Sequence, residues 1–139
     1  MLVAVLVVFT AFFNGSLPAQ EEKNSSLQQH VRTIERALAA RSLSTVREYL
    51  NPKKTYIDIL GKPASYLSVN QSIAVIESFL RQSTPVGYVK GIIREDASSA
   101  IAISTLRVKN AGGERTLKLT LGFTKNAEHS WVVNRIIIR

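Results

Sequence analysis

The chain has 139 residues, enough for one ordinary domain and too few for two. It contains no cysteine, which excludes disulfides, thiol catalysis and a lipid-modified cysteine, so its stability must rest on a hydrophobic core. The formal net charge is +8, which fits an anionic partner, while the scatter of the charges along the chain favours a generally solvated basic surface.

Residues 1–13 are apolar apart from Thr10, and Asn14, Gly15 and Ser16 precede Leu17-Pro18-Ala19. The first charged side chain is Glu21. A short apolar run, a turn and a small residue form the pattern of a secretory signal peptide. The run is shorter than the roughly 20 residues a bilayer span needs. The expected organisation is therefore a signal peptide over 1–19, a polar lead-in over 20–26 and one domain over 27–139. No Lys or Arg precedes the apolar run, and an uncleaved N-terminal anchor is the alternative. The expected location is periplasmic or secreted, with no stable membrane span after cleavage. Export argues against a nucleic-acid partner.

Helical spacing dominates the first part of the chain. Ser25 with Gln28, or Ser26 with Gln29, fits a capping box, and Leu27, Val31, Ile34, Ala37 and Leu38 follow on one stripe. Arg32, Glu35 and Arg36 fall on the expected wet side. Leu43, Val46 and Leu50 mark a short second helix that Asn51-Pro52 stops. Residues 55–60 alternate as a first strand, and Gly61-Lys62-Pro63 turns the chain into a brief second strand. Ser68 and Gln71 form the clearest capping box, ahead of a third helix carrying Val69, Ile73, Ile76 and Leu80.

Strands dominate the rest. Residues 86–94 form one, with Gly87 and Gly91 as bend or bulge points. Residues 100–109 form the next, where an apolar phase shift between Ile103 and Leu106 predicts a bulge near Ser104. Asn110 to Gly113 is a hairpin signal. In residues 115–124, Leu117, Leu119, Leu121 and Phe123 face one way and Thr116, Lys118 and Thr120 the other. The last strand, 130–138, is apolar on both sides: Trp131, Val133 and Ile137 against Val132, Ile136 and Ile138. Two covered faces would fit a homodimer. Helices first and strands last predict an α+β fold, three N-terminal helices packed on a curved antiparallel sheet.

Two stretches carry a family likeness. "VREYLNPKKTYIDILGKPASYLSVNQSIAVIESFL" and "LKLTLGFTKNAEHSWVVNRIII" resemble the core and final hairpin of exported bacterial proteins of the nuclear-transport-factor-2-like, or cystatin-like, fold. The likeness covers about residues 27–138, and its motifs are apolar patterns rather than chemical signatures. It implies a cone of sheet over helices and no assigned function. Proteins of this fold include isomerases, dehydratases and non-catalytic binding modules.

Enzymes of that type place an acid or base inside the cone. Asp58 is the candidate general base, its plain alternative being solvent exposure or a pair with Lys62. Tyr56, Tyr88, Trp131 and Arg135 are the candidate ligand-binding residues; for the three aromatics the plain role is core packing. Neither His30 nor His129 has a partner at metal-ligand spacing, so no metal and no cofactor is expected. The serines lie in no nucleophile-elbow motif, and Gly112-Gly113 is a hairpin rather than a phosphate loop. Three functions fit. The first is non-catalytic binding of a small apolar ligand or an envelope protein. The second is an isomerase- or dehydratase-like enzyme using Asp58. The third is a basic adaptor for anionic envelope polymers, with Arg32, Arg47, Lys53 and Lys54 on one face.

Overall fold

The computed structural model describes residues 18–139, with side chains from position 26 onward. The expected signal peptide at 1–19 lies outside the described residues except for its last two positions. The first helix, α1 (Pro18–Ala39), starts well before the expected Ser25 or Ser26 cap, so residues 20–26 are helical rather than a lead-in. Gln20-Glu21-Glu22-Lys23 are good helix formers, and proline suits a first helical position. The helix ends in a left-handed cap: Arg41 has φ of 60°, and the Ser42 amide donates to the Ala37 carbonyl at 2.8 Å.

Helix α2 (Leu43–Tyr49) and strands β1 (Thr55–Ile59) and β2 (Ser65–Leu67) follow. Helix α3 (Val69–Gln82) opens on the full reciprocal box: the Gln71 amide donates to Ser68 Oγ at 3.3 Å and the Ser68 amide to Gln71 Oε1 at 3.1 Å. Strands β3 (Thr84–Glu95), β4 (Ser99–Asn110), β5 (Gly113–Lys125) and β6 (Trp131–Ile138) complete one six-stranded sheet in the order β2-β1-β6-β5-β4-β3. The sheet is mixed. Strand β1 runs parallel to β6, with Tyr56 opposite Arg135 and Asp58 opposite Ile137, while the remaining pairs are antiparallel. Among the described residues no helix is long and apolar enough to cross a membrane.

The helices cover one face of the sheet. Ile34 of α1 and Ile76 of α3 are fully buried in a cluster with Leu106, Leu119, Phe123, Val133 and Ile136. Strand β4 alternates without a break from Ser99 to Asn110, sending Ala100, Ala102, Ser104, Leu106 and Val108 inward. The bulge expected at Ser104 is on the partner strand: Val89 faces Thr105 and Ile92 faces Ile103, so Lys90 and Gly91 share the place of one residue. Only glycine fits there, because a Cβ at Gly91 would lie 1.7 Å from the Ile103 carbonyl oxygen.

A second bulge corrects the reading of the last strand. Gly122 pairs with Arg135 and Phe123 with Val133, leaving Asn134 between them. The extra residue shifts the phase, so Trp131, Val133, Ile136 and Ile138 all face the helices and Ile137 turns outward. Apolar character on both sides of this strand is a one-residue change of phase within a strand covered by helices on one side.

Candidate functional site on the outer sheet face

The strand registers place the outward side chains of β1 and β3–β6 in three rows that cross the strands. The first contains Val89, Thr105, Lys118 and, beyond the end of β6, Arg139, whose amide and carbonyl exchange hydrogen bonds with Lys118 at 3.1 and 2.7 Å. The second contains Ile92, Ile103, Thr120, Ile137 and Asp58. The third contains Arg94, Ile101, Gly122, Arg135, Tyr56 and, on β2, Tyr66. The middle row thus carries isoleucine on β3, β4 and β6 and threonine on β5, and it is flanked by cations. Val89, Ile92 and Ile101 are 56, 54 and 47% exposed, high for large aliphatic side chains and far above those on the helix-covered face. A groove of about 530 Å3 opens beside Gly91, Ile92, Ile103, Thr105, Thr116 and Lys118.

The two ends of the face differ. At the β2–β1–β6 end, Tyr56 meets Tyr66 edge-on at 5.2 Å, and the Arg135 guanidinium lies 5.2 Å from the Tyr56 ring centre. Gly122 makes room for this cluster, since a Cβ there would come within 2.9 Å of Arg135 Cβ and Asn134 Oδ1. Asp58 belongs to the same face. Its Oδ1 accepts from Arg139 Nη2 at 2.6 Å and its Oδ2 from Arg139 Nε at 3.0 Å. This is a bidentate fork, and it replaces the expected pair with Lys62, whose Nζ donates to Ser78 Oγ at 2.9 Å. Hydrogen bonding to Asp58, reinforced by its charge, raises the Arg139 pKa above the ordinary arginine value. The guanidinium's share of the clamp is therefore present at every pH below that ordinary value and is lost only in stronger base.

The candidate ligand-binding residues do not form one group. The sheet separates Tyr56 and Arg135, which face outward, from Trp131 and Tyr88, which pack on the helix side. Lys125 Nζ lies 4.9 Å from the Trp131 ring centre. Of the four residues of the expected basic face, two are engaged, Arg32 Nη1 donating to Glu35 Oε1 and Arg47 Nη1 to Asn70 Oδ1, both at 2.7 Å, while Lys53 and Lys54 are exposed. His30 stacks edge-on against Tyr49 at 4.9 Å, and among the described residues no cluster of acids and histidines could hold a metal.

Two features escaped the sequence. Glu35 is 1% exposed rather than wet, and its Oε2 has no hydrogen-bond partner among the described residues. Arg139 joins the site from 81 residues away, a distance no local pattern spans. The outward aliphatic row had a signal that went unread: in Ala100-Ile101-Ala102-Ile103 the small residues take the core side and the large ones the other.

No family model and no curated protein matches the chain. Solved structures do. A DUF4783 family protein from Bacteroides uniformis superposes with a TM-score of 0.67 at 15% identity, covering 77% of this chain and 93% of that one. A ketosteroid isomerase-like protein from Erwinia carotovora atroseptica gives 0.66 at 15% identity, covering 82 and 92%. The designed chain Rd1NTF2_05 gives 0.67 at 11% identity, covering 84 and 99%. With three helices on a strongly bulged six-stranded sheet and these structures as neighbours, the chain has the nuclear-transport-factor-2-like fold.

Proposed function

We propose that this is a non-catalytic binding domain that works through the helix-free face of its sheet. One observation carries the reading: Ile92, Ile103 and Ile137 form an aliphatic row across that face, exposed at Ile92, half-buried at Ile103 and Ile137 and rimmed by cations, on the side of the sheet away from the helices. Tyrosine and arginine at one end add the residue types that most often anchor interfaces. The ligand classes that fit are a small apolar or amphiphilic molecule and an envelope protein. The apolar run at 1–13, read as the start of a signal peptide, supports a place of action outside the cytoplasm.

The ketosteroid isomerase-like neighbour favours a second reading, an isomerase- or dehydratase-like enzyme. Asp58 is a poor base for it. Both of its oxygens are engaged by Arg139, and it lies on the side of the sheet away from the helices. Amide NMR spectra of the protein, titrated with a panel of apolar and amphiphilic compounds, separate the two. Binding predicts shifts at Ile92, Ile103, Thr120 and Ile137 without turnover. Turnover of a ketosteroid or a dehydratable hydroxy compound, abolished by Asp58→Asn, would replace this reading with the enzymatic one.

A further inference from the structure

We propose that the middle row of the outer face seats a single-chain amphiphilic anion, an acyl chain whose terminal carboxylate lies on Lys118. The inference rests on the binding reading above and names its ligand class.

Length comes first. Lys118 is on β5, so a chain that starts on its ammonium and runs past Thr120 over Ile103 to Ile92 crosses two strand spacings, about 10 Å, before it reaches the β3 edge. That is a path for an extended alkyl chain. The bulge at Lys90–Gly91 leaves Gly91 without a side chain beside Ile92, and the groove of about 530 Å3 opens there. This shallow groove, with Ile92 and Ile103 beside the gap left by Gly91, gives an alkyl chain a track to lie along.

Charge decides the head group. Asp58 is the single acidic side chain on the three rows, and Arg139 neutralises it. Among the described residues Lys118, Arg94 and Arg135 have no carboxylate partner. Three uncompensated cations around an apolar strip attract an anion. A second copy docked face to face would oppose cation to cation, which disfavours self-association through this face. Two cations line the groove, Lys118 and Arg139; the Arg139 guanidinium is held by Asp58, which leaves the Lys118 ammonium for an anion, and Thr105 and Thr116 bring hydroxyl donors to the same place. The backbone bonds between Lys118 and Arg139 pin the strand from which the ammonium projects. An ammonium is a compact point charge with three donors and suits a single carboxylate.

The test titrates the full chain with dodecanoate below its micellisation point, read by calorimetry and by amide NMR. Dodecanol, which keeps the chain without the charge, acetate, which keeps the head without the chain, and phosphatidylglycerol vesicles are the controls. Saturable binding of one dodecanoate per chain is expected, with shifts confined to Ile92, Ile103, Thr105, Thr120 and Lys118. Lys118→Gln and Ile103→Ser should each weaken it by about tenfold with the thermal midpoint unchanged for Lys118→Gln, and added salt should weaken the wild type toward the Lys118→Gln level. Dodecanol binding as tightly as dodecanoate would remove the anion from the account. Vesicle binding that free dodecanoate fails to displace would assign the face to a bilayer surface instead. If dodecanoate does not bind while another compound of the panel shifts the Tyr56, Tyr66 and Arg135 end, the acyl anion is wrong and the binding reading stands. Substrate turnover lost in Asp58→Asn would overturn both.

Discussion

The two faces of the sheet are built from the same strands and differ in what they ask of each residue. On the helix side, Leu119, Leu121, Phe123 and Ile136 are all but inaccessible to water and interlock with α1 and α3. On the other side, Ile92, Ile101 and Ile103 of β3 and β4 point away from the helices. A side chain on the first face is constrained by volume and shape, since interiors are packed like organic crystals. One on the second is constrained by neither, so its apolar character is free to answer to a ligand. The contrast teaches that burial explains the first set and cannot explain the second.

The largest test of that contrast is Phe123→Ala. It empties the packed side and should cost about 4 kcal/mol, read from the urea midpoint. Next comes Gly91→Ala. The new methyl collides with the Ile103 carbonyl, so the bulge must open and both faces of β3 lose register. A loss of about 3 kcal/mol is expected, and an unchanged midpoint would mean that the bulge does not hold the strand in phase.

A smaller effect probes the one polar intrusion into the packed side. Arg32→Ala leaves the Glu35 carboxylate buried without its cation and should cost about 2 kcal/mol. Glu35→Leu should be neutral or stabilising, because an apolar side chain of similar size removes the desolvation cost along with the pair. A large loss in Glu35→Leu would mark Glu35 as a structural necessity. The smallest effect belongs to the outer face: Ile101→Thr should move stability by less than about 0.5 kcal/mol, because the site is exposed and threonine suits a strand. A substantial fall in the thermal midpoint there would mean that the outer aliphatics serve the fold after all.

Local chemistry was legible in the sequence, and pairing was not. The box at Ser68 and Gln71, the hairpin after Asn110, the bulge points at Gly87 and Gly91 and the clean alternation of β5 each depend on residues a few positions apart. The apolar phase of β4 predicts a bulge at Ser104, yet the bulge sits at Lys90–Gly91 on β3, because a bulge is a relation between two strands and the chain displays one at a time. The phase change at Asn134 looked like two apolar faces for the same reason. The candidate site suffered most. Tyr56 and Arg135 do meet, but Trp131 and Tyr88 lie across the sheet from them, and the partner of Asp58 is Arg139 rather than the nearby Lys62.

By itself, then, the sequence determined the helices, the strands and the apolar stripe each must hide, because caps, turns and periodicity act over one or two turns of chain. Only the tertiary structure decided that β1 would join β6 in parallel, that Glu35 would be dry, and that an aliphatic row with its cations would remain in the open. Those outcomes depend on which distant strands share hydrogen bonds, and register converts that choice into a surface.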